Sequence, residues 1–319
     1  MIISIMVKIF FLLAVGFTIA KAGLLKAEFK KAMSDLLVYV FLPASLFVAS
    51  QEEFAWKQLV GIGQVTLITM VYYAVVMGVC FSLSLLRFRE RKKSGMFALL
   101  VAFANTGFVG ISIVGEAVGG TGLIYAAIYN CVFDVIYFSI GLLLIQDYKK
   151  GSFYRTIAEN PLIWIPIGSV VLYALPFRFP VVLTEAAGSL ADCMLPTSIL
   201  IIGAEIADMK LHDMVADKLA YMTSFLRMML VPGITFVVCM LLPLEKDLAM
   251  TVVLLTAMPS ASLNVIMGRR YEAYPEYATA TVMQNTILML LTLPVFIHLC
   301  QQYLQLHFHA MQSFWQKVI

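Results

Sequence analysis

Charge is what this sequence has least of. Lys, Arg, Asp and Glu make up 13% of its 319 residues, against roughly 25% in an average soluble domain. That scarcity excludes a water-soluble globule, which needs a polar exterior. Cysteine is sparse and scattered: Cys80, Cys131, Cys193, Cys239 and Cys300 each stand alone in an apolar run, with no C-x-x-C spacing. They read as small buried apolar residues, so neither a disulfide framework nor a metal site is expected. No Gly-Lys-Ser/Thr phosphate loop occurs, which excludes ATP-driven work by this chain. The nucleophile-like serines within the apolar runs lack a His or Lys base nearby, and His298 stands alone near a span end, so enzyme chemistry is not expected and no motif asks for a cofactor. The first apolar run, "MIISIMVKIFFLLAVGFTIA", has no basic stretch ahead of it and is too long for a signal core, so it is expected to remain as a span. Lys8 within it lies near enough to the start to snorkel outward.

What the sequence does have is apolar length. Hydrophobic residues reach 61% and mean hydropathy is +0.91, and the apolar runs approach the ~20 residues that a helix needs to cross a bilayer. The expected fold is an all-α polytopic membrane protein. Its ten spans read as 2–20, 33–50, 58–86, 94–115, 120–146, 157–175, 183–207, 216–242, 247–268 and 277–304, with a mixed tail beyond.

The few charges fall unevenly. Loops after odd-numbered spans carry 16 Lys and Arg, including the run Arg87, Arg89, Arg91, Lys92 and Lys93; loops after even-numbered spans carry Lys57, Arg178 and Lys246. The positive-inside rule then places the odd loops in the cytoplasm and both termini outside, in a plasma-membrane protein. The net charge of +3 is thus a topology signal, and no nucleic-acid partner is expected.

Two prolines break the apolar pattern in the same way. Leu42-Pro43-Ala44-Ser45 in span 2 is echoed by Leu195-Pro196-Thr197-Ser198 in span 7, 153 residues later. A proline inside a helix costs about 3 kcal/mol, so two at matching places suggest a duplicated unit of five spans. An odd number of crossings inverts the second copy, giving repeats at 1–156 and 157–319, a construction common in secondary transporters. Gly16 with Gly168, and Tyr125-Ala126 with Tyr277-Ala278, are weaker echoes. Pro43 and Pro196 read as kinks, with Ser45 and Ser198 either re-bonding freed carbonyls or facing a ligand.

The polar clusters lie in spans 4 and 9. Asn105, Thr106, Gly107, Gly110 and Ser112 interrupt the first, and Pro259, Ser260, Ser262 and Asn264 the second. Irregular backbone at membrane depth is tolerated only where protein or a water-filled cavity satisfies its freed groups. Each break begins about 12 residues into its span, roughly 18 Å deep at a 1.5 Å rise, so helices entering from opposite faces are expected to cross there. The N-terminal ends of their second halves, with neutral donors and no Lys or Arg in either break, suit an anion, best a carboxylate. Gln284 and Asn285 in span 10 are placed to add donors. Asp134 in span 5 is the acid set deepest in a span and the candidate to couple a proton, or else a partner of Tyr129, Asn130 or a neighbouring helix. Asp192 is a weaker candidate, Glu116 and Glu205 read as solvated, and Arg227 is a candidate partner for one of the acids.

"NTGFVGISIV", "LPASLF" and "AMPSASLNVIM" together resemble the auxin efflux carrier family, which includes plant auxin exporters and bacterial permeases assigned to malate or malonate. The resemblance covers nearly the whole chain. It implies a crossover-helix carrier with spans 1, 2, 6 and 7 as scaffold, the other six as a moving unit, and a homodimer through the scaffold. Bacterial members often carry a proline where this chain has Ser112, so here the span 4 break is expected to rest on Gly107 and Gly110. The expected function is secondary transport of a small organic anion, with membrane lipid as surroundings. Cation or proton exchange on the same architecture, or a channel or sensor, are the alternatives. The orientation is open to test: cysteines placed in 87–93 should react with a membrane-impermeant thiol reagent only from the cytoplasmic side, and labelling from outside would reverse the topology.

Overall fold

The computed structural model of the chain describes residues 2–51, 55–145, 161–175, 178–208 and 217–304. The expected repeat boundary at 156/157, the basic residues Lys149, Lys150, Arg155 and Lys210, and the tail from 305 lie outside them. Lipid offers the backbone no hydrogen bonds, so a chain this apolar must satisfy its own N–H and C=O groups within helices. Among the described residues every regular element is helical. In order these are α1 (Ile2–Lys21), α2 (Ala27–Leu36), α3 (Leu42–Ser50), α4 (Trp56–Phe88), α5 (Arg91–Ala102), α6 (Ile111–Val118), α7 (Gly120–Ile136) and α8 (Pro161–Ala174). Then come α9 (Val181–Ala191), α10 (Met194–Asp208), α11 (Lys218–Phe225), α12 (Val231–Leu241), α13 (Lys246–Thr256), α14 (Leu263–Arg270) and α15 (Pro275–Leu299). Five π-helical turns, Leu37–Phe41, Thr106–Gly110, Tyr137–Gly141, Leu226–Leu230 and Cys300–Leu304, join or extend them.

Among the described residues six continuous stretches are long and apolar enough to cross a membrane: Glu28–Ser50, Trp56–Phe88, Gly120–Gly141, Val181–Asp208, Lys218–Leu241 and Pro275–Gln302. The chain is an all-α, multi-pass membrane protein. Val60, Leu67, Val71, Val75, Val79, Leu83 and Leu86 leave α4 with exposed apolar side chains at roughly helical spacing. In water such a stripe would be a liability; in a bilayer it is the lipid-facing surface.

Helix packing sorts the elements into two groups. In one, α1 packs along α10, and α3 packs on α8 and α9. In the other, α4 packs on α5 and α7, α13 on α7 and α12, and α15 on α11 and α14. Contacts of α7 with α3 and α8 connect the groups. The broken segments form the interior of the second group: every residue from Ser94 to Ala104 and from Leu248 to Ala261 is buried.

The two expected kinks have different local forms. A π turn, Leu37–Phe41, immediately precedes α3, whose second residue is Pro43. Pro196 is the third residue of α10, which restarts after a turn at 192–193; first-turn N–H groups have no intrahelical acceptor, so a proline there forfeits nothing. Ser198 Oγ donates to the Leu195 carbonyl at 2.9 Å, whereas Ser45 Oγ donates to Met194 Sδ at 3.4 Å rather than to a carbonyl.

Glycine sets the closest helix approach. A Cβ on Gly16 would lie 2.3 Å from the Leu200 carbonyl oxygen, and one on Gly203 2.3 Å from that of Leu13. Small residues admit such contact between membrane helices. Gly168, the sequence echo of Gly16, has open space at the same position, so the two glycines do unlike work. Gly203→Val should force α1 from α10 at about 1–3 kcal/mol or more. A thermal-shift measurement in detergent should show Tm falling by several degrees, while Gly168→Val leaves it nearly unchanged.

Candidate functional site

The site begins with two interruptions. Residues 103–105 part α5 from the π turn Thr106–Gly110 that leads into α6, and 257–262 part α13 from α14. The interruptions pair with each other. Ala104 and Ser260 form an antiparallel bridge, with Asn105 N–H to the Pro259 carbonyl at 2.7 Å and Ala261 N–H to the Phe103 carbonyl at 3.0 Å. Pro259 supplies no N–H, but here it is asked only for its carbonyl.

Side chains satisfy the carbonyls orphaned at the end of α5. Leu100 O accepts from Ser260 Oγ at 2.6 Å, Val101 O from Arg227 Nη1 at 3.0 Å and Ala102 O from the Tyr72 hydroxyl at 3.0 Å, while Leu99 O, which keeps the Phe103 N–H at 2.9 Å, also accepts from Asn264 Nδ2 at 3.3 Å. Phe103 is wedged among aromatics, stacked on Tyr73 at 4.6 Å and edge-on to Phe133 and Tyr137 at 5.1 and 4.9 Å. Arg227, for which the sequence suggested a carboxylate partner, donates to carbonyls and to Tyr72 instead.

The opposite ends of the breaks face open space. Asn105 is the N-cap of the Thr106–Gly110 turn and Ser262 the N-cap of α14, and neither side chain bonds its own helix. Both line one cavity of about 610 Å³ together with Ala104, Thr106, Gly107, Asn130, Asp134, Ala261, Ser198 and Glu205. The walls come from both packing groups. Thr106 Oγ1 donates to Asn130 Oδ1 at 2.8 Å, and Asn130 Nδ2 donates to Asp134 Oδ2 at 3.2 Å, so a short polar chain runs from the break to the buried acid.

A family model described as membrane transport protein matches residues 1–155 and again 149–297. The chain belongs to that family. The transporter is 25% identical over 287 residues to the uncharacterized transporter YfdV of Escherichia coli K12, covering 84% of this chain and 88% of the relative. It is 23% identical over 298 residues to an uncharacterized transporter of Methanothermobacter thermautotrophicus, with 89% and 93% covered. A putative malonate transporter of Rhizobium meliloti is 24% identical over 283 residues, with 84% and 86% covered. Family membership supports a role without catalysis, and among the described residues no cluster of His, Cys, Asp and Glu could hold a metal ion.

The transporter's remaining predicted site residues divide. Ser45 and Ser112 line a second cavity of about 430 Å³, with Lys8, Glu116, Asp192 and Met194. Lys8 reaches Glu116 at 2.9 Å across that space, so its ammonium has a protein partner and Glu116 is paired rather than merely solvated. Gly110, Pro259, Ser260, Asn264, Gln284 and Asn285 lie on neither cavity wall. A Cβ on Gly110 would come within 2.7 Å of Leu255, so the glycine admits α13. Asn264 is fully buried, with its Oδ1 accepting from the Tyr137 hydroxyl at 3.0 Å. Asn285 Nδ2 donates to Ser260 Oγ at 2.7 Å, and Ser224 Oγ donates to Gln284 Oε1 at 2.8 Å. Tyr72 and Tyr137 were not singled out from the sequence; a tyrosine in an apolar span carries no local sign that its hydroxyl caps a distant carbonyl.

This division predicts unlike phenotypes for the two asparagines. Asn264→Ala leaves the buried Tyr137 hydroxyl without its acceptor, at about 1–3 kcal/mol, takes from Leu99 O its second donor, and should lower Tm clearly. Asn105→Ala should leave Tm nearly unchanged and weaken binding of a carboxylate probe about tenfold, the worth of one hydrogen bond to a charged group. Parallel thermal shift and equilibrium binding on both variants check this.

Proposed function

We propose that the transporter carries a small organic anion, a carboxylate, by alternating access about the paired breaks. One observation supports this most: two helix N-caps, Asn105 and Ser262, line a single cavity between two packing groups, beside breaks that bond to each other. Its volume lies in the range that small-molecule sites occupy. The Rhizobium relative's name, putative malonate transporter, supports the same substrate class.

In this reading the halves are inverted five-span repeats, spans 4 and 9 cross at mid-membrane, and the packing group of α1, α3, α8, α9 and α10 is the scaffold through which a homodimer forms. The two cavities occupy opposite ends of the segment from Thr106 to Glu116, as two alternating exits would. With both termini outside a plasma membrane, the larger cavity lies on the cytoplasmic half and the smaller on the outer half.

Energetics then decide the direction. Protein charges return to their starting places over a full cycle, so uncoupled anion movement carries net charge. With the interior negative, about 2.3 kcal/mol per charge per 100 mV favours exit, a roughly 40-fold outward gradient for a monoanion. Uptake needs a coupled cation, and the Thr106–Asn130–Asp134 chain supports Asp134 as a proton carrier that senses the break. The test is uptake and counterflow in proteoliposomes with a panel of labelled acetate, malonate, malate and indole-3-acetate. A carrier exchanges labelled for unlabelled anion, and a channel does not. Uncoupled flux should follow an imposed potassium diffusion potential. Any acceleration of uptake at lower external pH should vanish in Asp134→Asn. Flux indifferent to potential in wild type and variant alike would refute the uncoupled mechanism, and pH dependence that survives in the variant would reduce Asp134 to a structural partner.

A further inference from the structure

Arg227 lies in the π turn Leu226–Leu230 between α11 and α12, and its side chain is fully buried. All five of its N–H donors are used. Nε reaches Met258 O at 3.1 Å; Nη1 reaches the Tyr72 hydroxyl at 2.9 Å and Val101 O at 3.0 Å; Nη2 reaches Thr256 O at 2.9 Å and Met258 O at 3.0 Å. Every acceptor is neutral, and among the described residues the guanidinium forms no ion pair. Burying a charge without a counter-charge is expensive. The arrangement persists where carbonyl dipoles converge on the cation, and these do.

The carbonyl acceptors lie at or just past the C-terminal ends of α5 and α13, the first halves of both broken segments. Helix ends carry about half an elementary charge each, positive at the N-terminus and negative at the C-terminus. Four ends meet at the paired breaks: two C-terminal ends from the first halves and two N-terminal ends from the second. Left alone they cancel, and such a junction prefers neither anion nor cation. One guanidinium on the two C-terminal ends removes their negative contribution and leaves the N-terminal ends uncompensated. Those are the ends capped by Asn105 and Ser262 on the larger cavity. Arg227 itself is not on that wall. It stands one peptide unit from the bridge, since Met258, which accepts twice from it, precedes the Pro259 carbonyl bonded to Asn105 N–H.

We infer that Arg227 determines the charge selectivity of the site without touching the ligand, by neutralising the C-terminal helix ends so that the two N-terminal ends add about one unit of positive charge to a cavity whose wall also holds the acids Asp134 and Glu205. This rests on the anion-carrier reading and names what makes it selective. A clamp with a merely structural role would affect stability and leave charge discrimination alone, so discrimination is the readout.

The experiment first identifies, by counterflow, which carboxylate of the panel above the wild type exchanges, then measures its affinity beside that of its neutral primary amide. Three variants follow, each checked for assembly by size-exclusion chromatography. Arg227→Met removes the charge. Tyr72→Glu keeps the guanidinium but sets a carboxylate against Nη1, cancelling the charge in place. Arg227→Lys keeps the charge with fewer donors. Wild type should prefer the carboxylate over the amide by about 100-fold, the upper range for hydrogen bonds to a charged group. That preference should fall about tenfold or more in Arg227→Met and Tyr72→Glu and survive in Arg227→Lys, even where Tm drops. If Arg227→Met does not assemble, the contrast between Tyr72→Glu and Arg227→Lys decides. An unchanged carboxylate-to-amide ratio in an assembled Tyr72→Glu or Arg227→Met, or a lost ratio in Arg227→Lys, overturns the inference while leaving the carrier reading intact. Wild type that exchanges none of the panel overturns the carrier reading and the inference with it.

Discussion

The structure depends on finding donors for three carbonyls. Where α5 ends at Ala102, deep inside the protein, the oxygens of Leu100, Val101 and Ala102 lose partners in the next helical turn. A buried carbonyl without a donor costs several kcal/mol in an apolar medium, so an unsupported break would straighten or unfold. The donors come from Ser260 at the second break, Arg227 between α11 and α12, and Tyr72 on α4. Three separate parts of the chain must therefore be in place before the first break is stable. The breaks also bond to each other, so neither exists without its partner.

That arrangement separates the two polarities of the backbone. Carbonyls at the breaks are turned toward protein donors, while the N-caps Asn105 and Ser262 face the larger cavity without bonding their own helices. The fold thus spends its side-chain donors on its own acceptors and leaves N–H dipoles for whatever enters. The aromatic packing about Phe103 serves the same end. Phe103 is the first residue past α5, and rings from Tyr73, Phe133 and Tyr137 hold it while its carbonyl accepts from Ala261.

Much of this was legible in the residues. A membrane chain with so little charge leaves few choices but helices, and small polar residues with Pro259 amid apolar runs marked both interruptions. What periodicity could not supply was the partner of each polar group. The breaks differ in length, three residues at 103–105 against six at 257–262, so residues at matching depth need not do matching work. Asn105 caps a helix on the cavity wall, and Ser262 holds the like position at the second break. Asn264, two residues farther on, turns its amide to Leu99 and its oxygen to Tyr137. Asp134 was legible as a buried acid, and its bond to Asn130 lay within reach, since residues four apart share a helix face, whereas the further step from Asn130 to Thr106 joins residues 24 positions apart. Lys8 with Glu116 joins residues 108 positions apart, beyond anything local spacing can report.

The prolines bear on how Arg227 is aimed. Pro43 is the second residue of α3 and follows the π turn Leu37–Phe41; Pro232 is the second residue of α12 and follows the π turn Leu226–Leu230. A proline ring clashes with the carbonyl four residues back in a regular helix, and a wider turn just ahead relieves that clash. Such turns change the register of every side chain after them and occur often at functional sites. In one case the turn places Leu37 on the cavity wall; in the other it carries Arg227 itself. A proline five residues after a lone arginine in an apolar span was therefore the local signal available in the sequence. Its meaning lay in the turn geometry, which lets a long cation reach the ends of two helices that neither precede nor follow it in the chain.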